Sequence, residues 1–153
     1  MGAPTEPIKS MTTLPPREAA ERLLAARQDQ SDWLDDFAEH LDRRRSGQSL
    51  ERTLAVWDLS QSDAARLFGV SRQALGKWLH QGVPADRAEV IANLAAATDL
   101  LLHHLKRDRI PAVVRRTAAN LDDRSLLDLL AQEQSAALLQ ACRQMFDFAS
   151  AQA

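Results

Sequence analysis

Tyrosine is absent from this chain, and its single cysteine, Cys142, excludes an intramolecular disulfide and any zinc cluster built on several thiolates. Glycine is scarce, with five in 153 residues, and none of the five sits in a Gly-rich loop of the kind that cradles phosphates. Runs of β-branched residues are nearly missing, which argues against strands. No stretch reads as a signal-peptide core or a membrane span. The start Met1-Gly2-Ala3-Pro4-Thr5-Glu6 lacks the Ser or Thr that a myristoylation signal takes at its sixth position. A cytoplasmic protein with no membrane partner is therefore the expectation. No Ser/His/Asp set has supporting context, so no catalytic residue, no cofactor and no enzyme activity is expected.

What remains is rich in Ala, Leu, Arg and Gln, which are helix formers, and 45% hydrophobic content is enough to bury a core. The expected fold class is all-α. The formal net charge of −2 does not itself indicate a nucleic-acid partner. Its distribution is more informative: residues 46–88 carry five basic and four acidic side chains, while the segments on either side are net negative.

Four of the six prolines fall in residues 1–16, which read as a flexible arm ending where Pro15-Pro16 can open a helix. Residues 17–47 read as two N-terminal helices. The first, over 17–28, is amphipathic. The second is capped by Ser31 or Asp32, carries Trp33, Phe37 and Leu41 at helical spacing, and closes with Arg43-Arg44-Arg45 and Gly47 just beyond. Residues 48–84 form the next module. Residues 85–108 follow as a linking helix with Ile91, Leu94, Thr98, Leu101 and Leu105 on a wide apolar face, broken by Arg109-Ile110-Pro111. The C-terminal part, 109–153, holds two more helices, over roughly 123–131 and 135–149.

Within 48–84, the stretch Gln61–His80 fits a helix-turn-helix position by position. Ala65 is small where two helices approach, Gly69 tolerates the positive φ of a tight turn, and Ser71 is placed to cap the second helix. Ala64, Phe68, Val70, Leu75 and Trp78 fall where both helices wedge against the preceding one. The second helix then presents a polar face. Arg72 can pair bidentately with guanine and Gln73 with adenine, whereas Lys77 and His80 lie farther along, at phosphate-contacting positions. Gln61 and Ser62 open the first helix, where exposed N–H groups can meet the DNA backbone. Gly76 sits mid-helix on this face, either to let the backbone approach the groove or as a tolerated surface glycine.

The segment LSQSDAARLFGVSRQALGKWLHQG, Leu59 to Gly82, resembles the Xre/Cro family of helix-turn-helix regulators. In that family the residues just after the turn contact bases, which here implies Ser71, Arg72, Gln73 and, one turn on, Lys77. The stretch from Ile110 through Arg116, with Leu121 to Leu130, is similar to the toxin-binding domain of the Xre/MbcA/ParS antitoxins. It carries Asp122-Asp123 where that family has Gly-Gly, and Val113 or Val114 where it has an aromatic. The resemblance implies a dimeric repressor of its own operon that also neutralises a toxin acting on NAD. Two alternatives stay open: a stand-alone dimeric regulator whose C-terminal domain serves only dimerisation, and a helical adaptor that binds no DNA.

Other chemistry-bearing residues read as structural. His103 and His104 diverge by about 100° around a helix and have no third ligand at metal spacing, so no metal site is expected. Asp35, Asp36 and Glu39 read as a solvated face and Cys142 as an inert core thiol, while Arg115-Arg116 could reach phosphates, bind a partner or simply be solvated. The expected partners are thus a palindromic duplex DNA operator and a second copy of the chain, with a protein toxin as a further candidate. The dimer contact would fall on the apolar face of 88–105 and the C-terminal helices.

Overall fold

Pro16 opens the first helix, at the position where its fixed φ suits a helix start and its missing N–H costs nothing. The computed structural model describes residues 13–151, with side chains described up to Asp147, so the arm read over 1–16 lies largely outside it. Among the described residues there are eight α-helices and no strand: α1 (Pro16–Ala26), α2 (Ser31–Trp57), α3 (Gln61–Phe68), α4 (Arg72–Gln81), α5 (Ala88–His104), α6 (Ile110–Arg115), α7 (Leu126–Ala131) and α8 (Ser135–Ala151). The fold is all-α. No helix among the described residues is long and apolar enough to cross a membrane.

The chain divides into two compact units, Met1–Leu41 and Asp42–Ala153. In the first, α1 and the start of α2 hold no buried residue. Trp33 and Phe37 stack at 5.1 Å between ring centroids, and the Arg27 guanidinium lies 5.2 Å over the Trp33 ring.

The second unit has one core, to which every helix from α2 onward contributes: Leu50, Leu54 and Trp57 from α2, Leu75 and Trp78 from α4, Leu94 and Leu101 from α5, Leu138 and Cys142 from α8. α5 packs along α8. The apolar face of 88–105, expected to meet a partner chain, is instead buried here, with Ile91, Leu94, Ala97, Thr98 and Leu101 all inside. One polar link crosses this core. The Thr98 hydroxyl donates its only proton to the Leu94 carbonyl at 2.7 Å, so Thr53 is left to donate to Thr98 Oγ1 at 3.3 Å.

Four further expectations are corrected. The helix carrying Trp33, Phe37 and Leu41 does not stop at Gly47; it continues to Trp57 as one 27-residue element. Gly47 is buried in its interior, where a Cβ would lie 3.0 Å from the Trp78 carbonyl oxygen and 3.3 Å from that of Leu79. A helix crossing demands this glycine, not a helix end. Likewise Arg115 is not simply solvated. Its guanidinium donates to the carbonyls of Trp57 at 2.8 Å, Asp58 at 2.7 Å and Pro111 at 2.8 Å. It thereby satisfies the last carbonyls of α2, which ends on the left-handed Asp58 (φ 54°). The linking helix is also shorter than read, ending at His104, and Pro111 does not end a helix but sits in the first turn of α6.

Candidate nucleic-acid interface

α3 begins at a reciprocal cap. Ser60 Oγ accepts from the Asp63 backbone N–H at 3.1 Å, and Asp63 Oδ2 accepts from the Ser60 N–H at 3.4 Å and hydroxyl at 2.7 Å. These bonds to Ser60 hold the Asp63 carboxyl below the usual carboxylate range, and Arg66, 2.7 Å away, adds to the effect. The helix stops at Gly69, which is left-handed at φ 66°, and the Val70 N–H bonds back to the Ala65 carbonyl at 2.9 Å. Two residues later Ser71 caps α4, accepting from the Ala74 N–H at 3.0 Å. The buried Ala64, Ala65 and Phe68 face the core, and Phe68 meets Trp78 edge-on at 5.7 Å.

α4 is two-sided. Leu75 and Trp78 are buried, while Ser71, Arg72, Gln73, Lys77 and His80 are exposed or half-exposed and Gly76 is half-buried. At about 100° per residue, Arg72, Gly76, His80, Gln73 and Lys77 fall in that order along an arc of about 140° opposite the buried pair. Gly76 lies within this arc, and a Cβ built there meets nothing within 4 Å. The first turn of α4 carries no acidic residue, so its N–H groups and positive dipole end are not neutralised by a carboxylate. Gln61 and Ser62 are also exposed, at the start of α3, but the Asp63 carboxylate sits in that turn and opposes a phosphate there.

The far end of α4 is fixed by contacts that the sequence did not reveal. The helix ends at Gly82 (φ 95°), where a Cβ would collide with the Arg43 backbone carbonyl. Ser46 Oγ accepts from the Val83 N–H at 2.9 Å and donates to the Arg43 carbonyl at 2.7 Å. Arg87 lies 5.8 Å over the Trp78 ring and reaches the Phe68 carbonyl at 3.5 Å. The signal was present in the sequence as Gly47 and Gly82, two of only five glycines. Pairing them required knowing which helices cross.

The remaining candidates form no second site. No group of three or more His, Cys, Asp or Glu among the described residues is arranged to hold a metal ion. His104 stacks on Phe146 at 4.1 Å and meets His103 edge-on. Cys142 is fully buried, and burial pushes its thiol up to about 12, far from a nucleophile's range. Asp35, Asp36 and Glu39 are exposed. Comparison of the chain with protein-family models, with curated proteins and with solved structures gave no match.

Proposed function

We propose that this chain is a sequence-specific DNA-binding transcriptional regulator that reads duplex DNA through α4, with α3 and α4 acting as a helix-turn-helix. The observation that carries the reading is the two-sidedness of α4. Leu75 and Trp78 anchor it in the core, while the arc holding Arg72, Gln73 and Lys77 makes no side-chain hydrogen bond or ion pair among the described residues. Long polar side chains held out on a capped, rigid helix are what base-edge contact needs, because preorganisation lowers the ordering cost on binding. Arg72 and Gln73 take base edges and Lys77 and His80 the phosphates, whereas the Asp63 carboxylate disfavours a phosphate at Gln61 and Ser62. A palindromic operator would be bound by a homodimer, with one α4 in each half-site.

Selection of bound sequences from a random duplex library at fixed salt tests this, repeated with Arg72→Ala and Gln73→Ala. The expected result is a selected motif whose base preference relaxes in each variant, at about 1–3 kcal/mol for each base pairing removed. No enriched motif from the wild type would sink the proposal. Equal weakening of all sequences would move the two residues to phosphate contacts.

A second reading, that the chain is also an antitoxin, is favoured by one feature of the C-terminal half. Asp122 and Asp123 are both left-handed (φ 55° and 59°), the conformation that Gly-Gly adopts freely. They lead into Arg124, which ties the turn through the Leu121 carbonyl at 3.0 Å and the Gln132 side chain at 2.7 Å. The backbone is thus what a Gly-Gly-Arg turn would form, although the residues differ. Co-expression with the product of a neighbouring reading frame, scored for growth rescue and a stable complex, tests it. Neither rescue nor complex would leave only the regulator.

A further inference from the structure

α1 has 11 residues and none of them is buried, although a helix of that length is marginal in water unless something packs on it. The start of α2 is in the same position, with no buried residue before Gly47. Leu23 and Leu24 of α1 and Leu34, Phe37 and Leu41 of α2 line one groove of about 670 Å³, with alanines of both helices among them. Leu24 and Leu41 are 46% and 42% exposed. Asp35 is the one charged residue in this lining. A small-molecule site has several convergent polar groups to orient its ligand, and this groove lacks them. An apolar trough between two helices is instead where a further helix packs.

We propose that this groove is the dimer interface of the chain, filled by α1 and the start of α2 from a second copy. Charge favours that occupant. α1 with its C-cap Arg27 carries three arginines against two glutamates, whereas residues 31–41 of α2 carry four carboxylates and no lysine or arginine. A two-fold axis that lays α1 of each copy on α2 of the other therefore brings opposite net charges together. Laying α2 on α2 would set like charges together. Arg17–Glu21 and Arg22–Glu18 are exposed pairs within α1, of the kind that exchange partners at little cost. Four helices then close an apolar centre that neither copy closes alone. The apolar face of α5 is not available for this contact, because α8 covers it. The inference deepens the homodimer of the DNA-binding reading by naming its surface, yet the dimer itself needs no DNA.

Sedimentation of the full chain without DNA, over a dilution series, tests this. The wild type is expected to be a dimer, and Leu24→Glu/Leu41→Glu a monomer at the same concentrations. Continued protection of the buried Cys142 in that variant shows that the second unit is folded. Two charge variants test the pairing, Arg17→Glu/Arg22→Glu and Asp35→Lys/Asp36→Lys. Each alone should lose the dimer, and mixing the two should restore it, because each supplies the charge that the other lacks. They alter only exposed positions, so they carry the test if the leucine variant fails to fold. A monomeric wild type overturns the inference, including one whose groove takes up an apolar dye and so belongs to a small ligand. A dimer that survives Leu24→Glu/Leu41→Glu is formed elsewhere and overturns it as well. A mixture no more dimeric than its components overturns the pairing of α1 on α2. A monomer that still selects a duplex motif leaves the α4 reading standing, whereas a dimer that selects none sinks that reading alone.

Discussion

The Gly47 Cα and the Trp78 carbonyl oxygen are so close that one added methyl group at Gly47 would sit 3.0 Å from that oxygen, with the Leu79 oxygen 3.3 Å away. This approach sets how α4 stands on α2, and with it the direction of the exposed arc. Elsewhere in a helix interior, glycine to alanine gains about 1 kcal/mol from backbone entropy. At Gly47 two backbone carbonyls oppose the methyl, and overpacking of this kind costs about 1–3 kcal/mol. Gly47→Ala is therefore predicted to lower the urea midpoint with an unchanged m-value and, on the DNA-binding reading proposed above, to weaken duplex affinity by tilting α4. A variant more stable than wild type would show that the crossing gives way more easily than its geometry indicates.

Gly76→Ala is predicted to do the reverse for stability. Nothing lies within 4 Å of the new methyl, so the helix-propensity gain of up to about 1 kcal/mol is expressed in full. If the α4 backbone approaches the floor of a groove at this point, DNA affinity falls in the same variant. Stability raised with affinity unchanged would make Gly76 a tolerated surface glycine.

Two serine-carboxylate caps are predicted to add an acid-sensitive increment to stability. Asp63 is held low chiefly by the Ser60 hydroxyl, and Asp128 chiefly by the Ser125 backbone N–H, whose bond to Asp128 Oδ2 is 2.7 Å. A carboxyl whose folded-state pKa lies below its unfolded value of 3.8 adds stability above that pH, and the contribution is lost as pH falls through the folded value. Unfolding free energy measured from pH 6 downward is expected to drop below about pH 4. Asp63→Asn/Asp128→Asn should flatten that drop, and an equally steep fall in this variant would assign it to other carboxyls. Ser125→Ala, which removes the acceptor for the Asp128 N–H at 3.1 Å, is predicted to cost about 1 kcal/mol at neutral pH.

Cys142 serves as an internal reporter. With the thiol buried on α8 and pushed up to about 12, native protein at pH 8 should react with an aromatic disulfide reagent only as fast as it opens. The labelling rate should rise with urea along the unfolding curve. Rapid stoichiometric labelling in the absence of denaturant would contradict the burial.

How far the fold could be read depends on whether the signal is local. The end of α3 and the start of α4 were legible because Gly69 and Ser71 act within one turn of their own positions. The apolar repeat of α5 was equally plain, but periodicity says only that a face is buried, and α8 covers this one within the same chain. The polar arc of α4 was readable from spacing alone, since Leu75 and Trp78 fix which side is inward. What lay beyond reach were pairings across the fold: Arg115 with the end of α2, 58 residues back, and the latch of Val83 on Ser46.

By itself the sequence determined the all-α class, the capped turn between α3 and α4, and the side of α4 that stays polar. Each follows from forces acting over a few residues. Only the tertiary structure decided that α2 continues through Gly47, because a glycine followed by no cap is compatible with both an ending and a crossing. That choice also moved Arg43-Arg44-Arg45 from a helix end to a helix interior, since the carbonyls that exclude a side chain at Gly47 belong to Trp78 and Leu79, on a helix remote in sequence.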